Sequence, residues 1–337
     1  MKKINSTIVI AEAGVNHNGN INLALKLVDV AAKSKADYVK FQTYIASDLV
    51  QKKIGLAKYQ KKNSKKISSQ FQLLKKFELS ESAHLKIIRR CKIKKIKFLS
   101  SPFDLRSIDL LKKLKLQLFK IPSGEITNIP YLRKIGSLNK QVILSTGMSN
   151  IAEISEAIKT LIASGTKKKN ITILHCSTEY PAEQKNLNLL SIPFMKKKFK
   201  TNIGYSDHSL GLQASFTAVA LGAKVIEKHF TLNKKLTGPD QKASLSPNEL
   251  TNLVQGIRII ESTLGNNIKK PYSAELKNLN FIRKFIVANK KILKGEKFTK
   301  KNITTKRAIT GLSASKWDWI IGKKAKKIFL YDENISI

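Results

Sequence analysis

QVILSTGMSNIAEISEAIKTLIASGTKKKNITILHCSTEYP (141–181) places one amphipathic helical stretch between two short apolar, β-branched runs. QVILS and ITILHC start apolar, as strands covered by helices on their outer side do, and both run on into small, polar or ionisable residues. IAEISEAIKTLIAS (151–164) carries its apolar residues at helical spacing. The unit reads as strand, helix, parallel strand.

The same unit repeats in both directions. TIVIAEAG (7–14), DYVKFQTY (37–44), IKFLSSPFD (96–104), LFKIPSGE (118–125), TNIGYSDH (201–208) and AKVIEKHF (223–230) complete a set of eight runs. Between them lie amphipathic stretches such as INLALKLVDVAAKS, ESAHLKIIRRCKI, RSIDLLKKLK and LQASFTAVALG. Eight strands alternating with helices predict an α/β fold of the (β/α)8 TIM-barrel type. A doubly wound open sheet is the competing reading, but no G-x-G-x-x-G follows the first strand. Core packing does not need Glu12, Lys40, Gln42, Ser101, Lys120, Ser123, Glu125, Ser145, Thr146, Thr178, Tyr180, Asp207, His208 and His229 at the ends of these runs. A chemical site at the C-terminal face of a barrel does.

Past residue 265 the pattern changes. GNNIKKPYSAELKNLNFIRK is polar and carries a proline, as a linker does. FIVANKKI, KFTKKNITTKR and AKKIFLYDENI then read as short β runs of a small domain. The expected organisation is a catalytic barrel over 1–268, a linker over 269–282 and a mostly β domain over 283–337.

The chain has 337 residues and a formal net charge of +40, with 63 basic against 23 acidic residues. Only seven of the basic residues are arginine, whereas nucleic-acid readers lean on arginine for bidentate contacts. The lysines are scattered over presumed outer helix faces, such as Lys112, Lys113, Lys115 and Lys167–Lys169. They read as solvated surface with a general attraction for anionic substrates, and no nucleic-acid partner is expected. No run is apolar for the ~18–20 residues a membrane span needs, and the N-terminus lacks a small-residue cleavage site. A cytoplasmic enzyme with no membrane partner is expected. Cys91 and Cys176 have neither disulfide-framework nor metal-ligand spacing and read as packed thiols.

His208 and His229 are the metal candidates, since they end consecutive strands, each beside a carboxylate (Asp207, Glu227) able to orient it. A pair of hydrogen-bonded structural histidines is the alternative. His17 falls in a loop after the first strand, His84 on a helix and His175 within the sixth strand. Lys40 and Lys120 with Ser101, Ser123, Ser145 and Ser206 form an anion cradle. A lysine inside an apolar run is expensive unless it meets an anion, and the small residues of IPSGE and LSTGM allow close backbone approach. Glu12, Gln42, Glu125, Tyr180 and Asp240 suit a polyhydroxylated substrate, and a buried Glu could handle protons.

With these segments laid out, the chain resembles the sialic acid synthases: N-acetylneuraminate synthase and relatives that make legionaminic-type nonulosonates. The resemblance runs along the whole length, through AEAGVNHNG (11–19), KFQTY (40–44), SSPFD (100–104), KIPSGEITN (120–128), ILSTGM (143–148), HCSTEYPA (175–182), GYSDHSLG (204–211), EKHFT (227–231) and GPDQKASL (238–245). KGEKFTKKNITTKR (294–307) looks like the family's antifreeze-like (SAF) domain. The resemblance implies condensation of phosphoenolpyruvate with an N-acylated mannosamine-type sugar, releasing phosphate. It places a divalent ion, Mn²⁺ or Mg²⁺, on His208 and His229. Phosphoenolpyruvate falls to Lys120, Ser101, Ser123, Ser145 and Ser206 with Lys40 close by, and the sugar to Glu12, Gln42, Tyr180 and Asp240. Glu125 is the implied acid/base. Arg307 matches an arginine that reaches over the partner's barrel in a domain-swapped homodimer.

N-acetylneuraminate is the first expectation for the product, and N,N'-diacetyllegionaminate, from a 2,4-diacetamido-6-deoxy-mannose substrate, is the alternative. Thr178 bears on the choice, because N-acetylneuraminate makers can carry asparagine there. Asn63, in QKKNSKKISS (60–69), is a further sugar contact on this reading. Two other mechanisms stay open: a basic polyanion-binding protein, and an aldolase-type barrel with Lys120 or Lys40 as a Schiff base.

Overall fold

The computed structural model describes residues 6–55 and 69–336, and its contacts divide the chain into two units, Met1–Gly265 and Asn266–Ile337. Asn63 lies outside the described residues.

In the first unit eight strands form one parallel sheet: β1 (Ile8–Gly14), β2 (Tyr38–Thr43), β3 (Lys97–Pro102), β4 (Leu118–Ile121), β5 (Gln141–Ser145), β6 (Ile171–Cys176), β7 (Asn202–Asp207) and β8 (Val225–His229). β1 hydrogen-bonds to both β2 and β8, so the first and last strands are neighbours, as a barrel requires. β3 and β4 end the ladder and lie side by side, closing the wall. The Tyr131 hydroxyl donates across this seam to the Pro102 carbonyl.

Side-chain alternation sorts each strand into two faces. Val39, Phe41, Phe119, Ile121, Val142, Leu144, Ile173 and Ile226 point outward and pack beneath the helices in the main core. Ile10, Leu99, Leu118, Ile143, Leu174 and Val225 point inward and fill the barrel as an apolar plug. Fully burying one such side chain contributes about 1.5–3 kcal/mol. Two residues further along each strand, on the same inner face, stand Glu12, Ser101, Lys120, Ser145, Cys176 and Glu227. The plug is therefore the floor of a polar chamber.

The strands stop earlier than the apolar-to-polar runs suggested. Pro122, Gly147 and Pro181 interrupt the ladder geometry, so Ser123–Glu125 form a 3-10 turn and Thr146–Met148 and Ser177–Pro181 are loops. These loops are the rim of the chamber. Two of the surrounding helices begin at capping boxes. Asn150 and Glu153 form a reciprocal capping box before Ile151–Ala163, and Ser246 and Glu249 do the same before Pro247–Thr263.

The second unit opens with a helix, Ser273–Ile282, inside the segment expected to be a linker. β9 (Lys284–Ala288) and β10 (Ile303–Arg307) pair antiparallel over a core that includes Ile286, Ile292, Phe298, Ile303, Ile320 and Phe329. The third expected run, AKKIFLYDENI, forms isolated bridges rather than a strand, such as Ile292 with Phe329 and Val287 with Asn334. No helix among the described residues is long and apolar enough to cross a membrane.

Candidate active site

A cavity of about 260 Å³ opens at the C-terminal ends of the barrel strands. On its floor Lys40 Nζ lies 3.0 Å from Glu12 Oε2 and 3.1 Å from Ser101 Oγ. Lys120 Nζ donates to Ser145 Oγ at 2.6 Å. Between the two ammonium groups sits Glu227, whose oxygens lie 3.6 Å from each and accept from Ser206 Oγ at 3.1 Å. All four charged side chains are at most 5% exposed. The chamber therefore holds two cations, their counter-charges and several hydroxyls out of reach of bulk water, where electrostatic interactions are strong.

Burial and charge pull these groups apart. For Glu227 burial opposes ionisation, but Lys120 and Lys40 outweigh it and hold the carboxyl down at about 2. For Glu12 burial wins over the Lys40 attraction, and repulsion from Glu227 adds to it, so its carboxyl is pushed up to about 7. Burial opposes the Lys40 charge, yet the carboxylates of Glu12 and Glu227 hold its ammonium above the usual value. Burial pushes Lys120 down despite Glu227. One carboxylate is thus fixed as an anion while the other can hold or release a proton near neutrality.

Beside this floor the rings of His208 and His229 lie 5.5 Å apart, with the Tyr180 ring 4.1 Å from His208 and 5.9 Å from His229. His208 Nδ1–H donates to the Ser177 carbonyl, which leaves its Nε2 as a lone-pair donor. His229 Nδ1 is buried with no hydrogen-bond partner, and the nearest carboxylate oxygen, from Asp240, is 3.9 Å away. Burial drives His208 down to about 4 and His229 well below the ordinary value, so both rings are neutral at pH 7. Two neutral imidazoles, one with an orphaned buried nitrogen, fit a divalent ion. Among the described residues no group of three or more His, Cys, Asp or Glu side chains could hold one. His208 and His229 are the two side chains that would hold it.

The rim is pinned by local geometry. Ser123 Oγ accepts from the Gly147 N–H at 2.9 Å and contacts Cys176 Sγ at 3.2 Å. A Cβ on Gly147 would stand 2.7 Å from Thr178 Cγ2 and 2.9 Å from Ser123 Oγ, so a larger residue would force these two side chains to move. On the opposite side Asn16 Nδ2 donates to the Phe230 carbonyl and to Ser244 Oγ, while Gln241 Nε2 donates to the Asn16 carbonyl. This latch holds the loop that carries Asp240 over the cavity. Burial pushes the Asp240 carboxyl up to about 6.

The family model for the NeuB family matches residues 27–269, and that for the SAF domain matches residues 283–335. The chain belongs to the NeuB family. It is 52% identical over 335 residues to the N,N'-diacetyllegionaminic acid synthase of Campylobacter jejuni, covering 99% of both chains. It is 42% identical over 318 residues to the N,N'-diacetyllegionaminic acid synthase of Legionella pneumophila, covering 94% of this chain and 89% of that one. The crystal structure of an N-acetylneuraminic acid synthetase from Leptospira borgpetersenii, in complex with citrate, matches with a TM-score of 0.72 at 32% identity, covering 83% of this chain and 94% of that one. This NeuB-family chain is an enzyme, a synthase with a barrel and a SAF domain.

The expected site residues can now be placed on the NeuB-family barrel. Glu12, Lys40, Gln42, Ser101, Lys120, Ser123, Ser145, Thr178, Tyr180, Ser206, His208, His229 and Asp240 all line the one cavity. Glu125 does not: its carboxylate accepts from Asn128 Nδ2 at 2.7 Å in the turn after β4. Pro122, Ser123 and Gly124 of that turn line the cavity, so Glu125 follows directly on its rim, and burial pushes its carboxyl up. Arg307 ends β10 in the second unit. Asp207 makes no direct bond to a histidine: its carboxylate faces the outer side of the wall and pairs with Lys228 at 2.7 Å. The Ser177 carbonyl orients His208 instead. Glu227, expected only as a companion of His229, is the group between the two lysines. Its spacing carried the signal, since residues two apart on a strand share a face. The apolar lining from Val15, Leu73, Leu74, Phe77 and Phe103 was not foreseen. Two other histidines are structural. His84 bonds to Thr43 Oγ1 and the Ser80 carbonyl, and His175 to the Leu187 carbonyl.

Proposed function

We propose that this enzyme condenses phosphoenolpyruvate with 2,4-diacetamido-6-deoxy-mannose to give N,N'-diacetyllegionaminate and phosphate. The observation that carries the choice of sugar is the 52% identity along 99% of the Campylobacter jejuni N,N'-diacetyllegionaminic acid synthase. It favours the second of the two products considered from sequence over N-acetylneuraminate.

The chamber chemistry supports the reaction class. Lys40 and Lys120, with Ser101, Ser123, Ser145 and Ser206, offer donors to the phosphate and carboxylate of phosphoenolpyruvate. Each such donor in a dry site is worth about 2.7–4 kcal/mol as charge develops on the leaving phosphate. Gln42, Thr178, Tyr180 and Asp240 face the sugar. C3 of phosphoenolpyruvate forms a bond to the aldehyde carbon, water adds at C2, and the C2–O bond to phosphate breaks. Glu12, poised near neutrality, can give a proton to the new alkoxide or take one from the attacking water. His208 and His229 would hold a divalent ion, which when bound supplies Lewis-acid polarisation of the sugar aldehyde. Completion of the site by Arg307 of a second copy, in a cytoplasmic homodimer, belongs to the same reading.

Phosphate release from phosphoenolpyruvate with Mn²⁺, across a panel of N-acyl hexosamines, tests the proposal. Turnover should be highest with the 2,4-diacetamido-6-deoxy sugar, and preference for N-acetylmannosamine would restore the N-acetylneuraminate reading. Loss of activity to EDTA with no borohydride-trapped adduct is expected. A trapped adduct on Lys40 or Lys120 would replace this mechanism with a Schiff base.

A further inference from the structure

Behind the two histidines, on the helix side of the barrel wall, lies a closed polar network that touches nothing in the cavity. Asp207 and Lys228 are Cα partners in the β7–β8 ladder, and each directly precedes a histidine. Lys228 Nζ lies 2.7 Å from Asp207 Oδ2 and donates to the Ser209 carbonyl at 2.7 Å. Asp207 Oδ1 accepts from the Ser209 N–H at 2.9 Å and from Ser209 Oγ at 2.7 Å. Asp207 Oδ2 also accepts from Ser215 Oγ at 2.6 Å, on the helix Gln213–Ala220. The Asp207 and Lys228 side chains are 0% and 2% exposed.

Stability alone does not account for such a pair. Desolvating two charges is costly, and well-packed apolar residues of similar volume in the same place are often as stable or more so. Apolar residues cannot, however, bind three backbone segments to one point. Here the ends of β7 and β8 and the loop at Ser209 are tied together around the peptide that carries His208. His208 has a second restraint in the Ser177 carbonyl, but His229 Nδ1 has no hydrogen bond at all. The direction of the His229 ring must therefore come from its backbone and from packing.

We propose that the buried Asp207–Lys228 pair is a positioning device for His208 and His229, fixing from behind the wall the separation of the two rings in the cavity. Its purpose rests on the metal-holding role proposed above for these histidines. For His229 the alternation of β8 transmits the restraint, since Lys228 locked on the outer face turns its successor to the inner face. His208, one residue past the end of β7, is held between the anchored Asp207 and Ser209.

The test uses the full-length Asp207→Asn/Lys228→Met double variant, which leaves no buried charge unpaired. One readout is Mn²⁺ affinity without substrate, from the electron paramagnetic resonance of the free ion. The other is the side-chain ¹H–¹⁵N spectrum of the histidines, which reports the His208 ring hydrogen bond directly. Positioning predicts at least about tenfold weaker Mn²⁺ binding, the size typical of groups that orient metal ligands. It also predicts a shifted histidine spectrum with native circular dichroism, and partial recovery in Lys228→Arg. A folded double variant with wild-type Mn²⁺ affinity and an unchanged histidine spectrum overturns the proposal, whatever its melting temperature. If the wild-type protein binds no Mn²⁺, the metal reading fails, and the histidine spectrum alone decides the positioning role. If the double variant does not fold, Ser215→Ala decides. Mn²⁺ affinity about tenfold weaker, or a shifted spectrum, then supports the proposal, and no change in either overturns it.

Discussion

At the scale of single residues, burial sets the state of the histidines, whereas charge pairing with two lysines sets that of Glu227. His229 is neutral because its ring is buried, and its free Nδ1 has no structural duty. His229→Ala should lower turnover by at least about 10²-fold, the cost of losing one electrostatic stabiliser of the transition state. Its melting temperature should stay near that of the wild type, as read by steady-state kinetics beside differential scanning calorimetry. His17 makes a different prediction, about folding. Its Nδ1 accepts from the Gly19 N–H, and burial pushes its pKa down to about 4. The unfolded chain binds a proton as pH falls through about 6.5, and the folded chain refuses it until about 4. Stability is therefore lost on acidification across that window, by up to about 3 kcal/mol from this group. Urea unfolding at pH 7 and pH 4.5 should show a larger drop for the wild type than for His17→Gln. Equal drops would mean that the proton is accommodated elsewhere.

At the scale of elements, the turns after the strands matter as much as the strands. Gly147 brings its N–H to Ser123 and leaves room for Thr178 and Cys176. Gly147→Ala should displace Ser123 by a few tenths of an ångström and cut kcat/KM for phosphoenolpyruvate by about tenfold, since small misplacements in such sites are costly. The barrel itself should survive, as circular dichroism can check. Wild-type kinetics would show that Ser123 has no part in binding phosphoenolpyruvate. Alternation along each element made much of the site legible beforehand. A lysine in an apolar run, as at Lys40 and Lys120, announces a buried cation that needs an anion. The same periodicity could not say which carboxylate meets which lysine. Glu227 was visible as a neighbour of His229, but its place between Lys40 and Lys120 depends on the curvature that brings β2, β4 and β8 to one chamber. Glu125 shows the complementary limit: a proline-started turn after β4 ends the alternation, so the period of the strand does not say where its carboxylate points.

At the scale of the whole molecule, the lysine excess gives the chain a field that no single residue explains. With a net charge of +40, an anionic substrate is drawn to the surface at low salt, and screening removes that attraction beyond about 10 Å at 0.1 M. Raising ionic strength from about 0.01 M to about 0.3 M should lower kcat/KM for phosphoenolpyruvate by about 3–10-fold while kcat changes little. A salt-independent kcat/KM would mean that the lysines act only as solvated surface.

By itself the sequence determined the barrel, the small β domain and most of the residues that meet at the strand ends. Those features follow from periods of 3.6 and 2 and from polar residues placed where an apolar run stops, all of which are local properties of the chain. Only the tertiary structure decided how the charges pair. Glu227 bridges two lysines, Asp207 turns to Lys228 behind the wall, and Glu12 keeps a proton near neutrality. Each outcome depends on distances of 2.7–3.6 Å between side chains on different strands and on the depth at which they are buried.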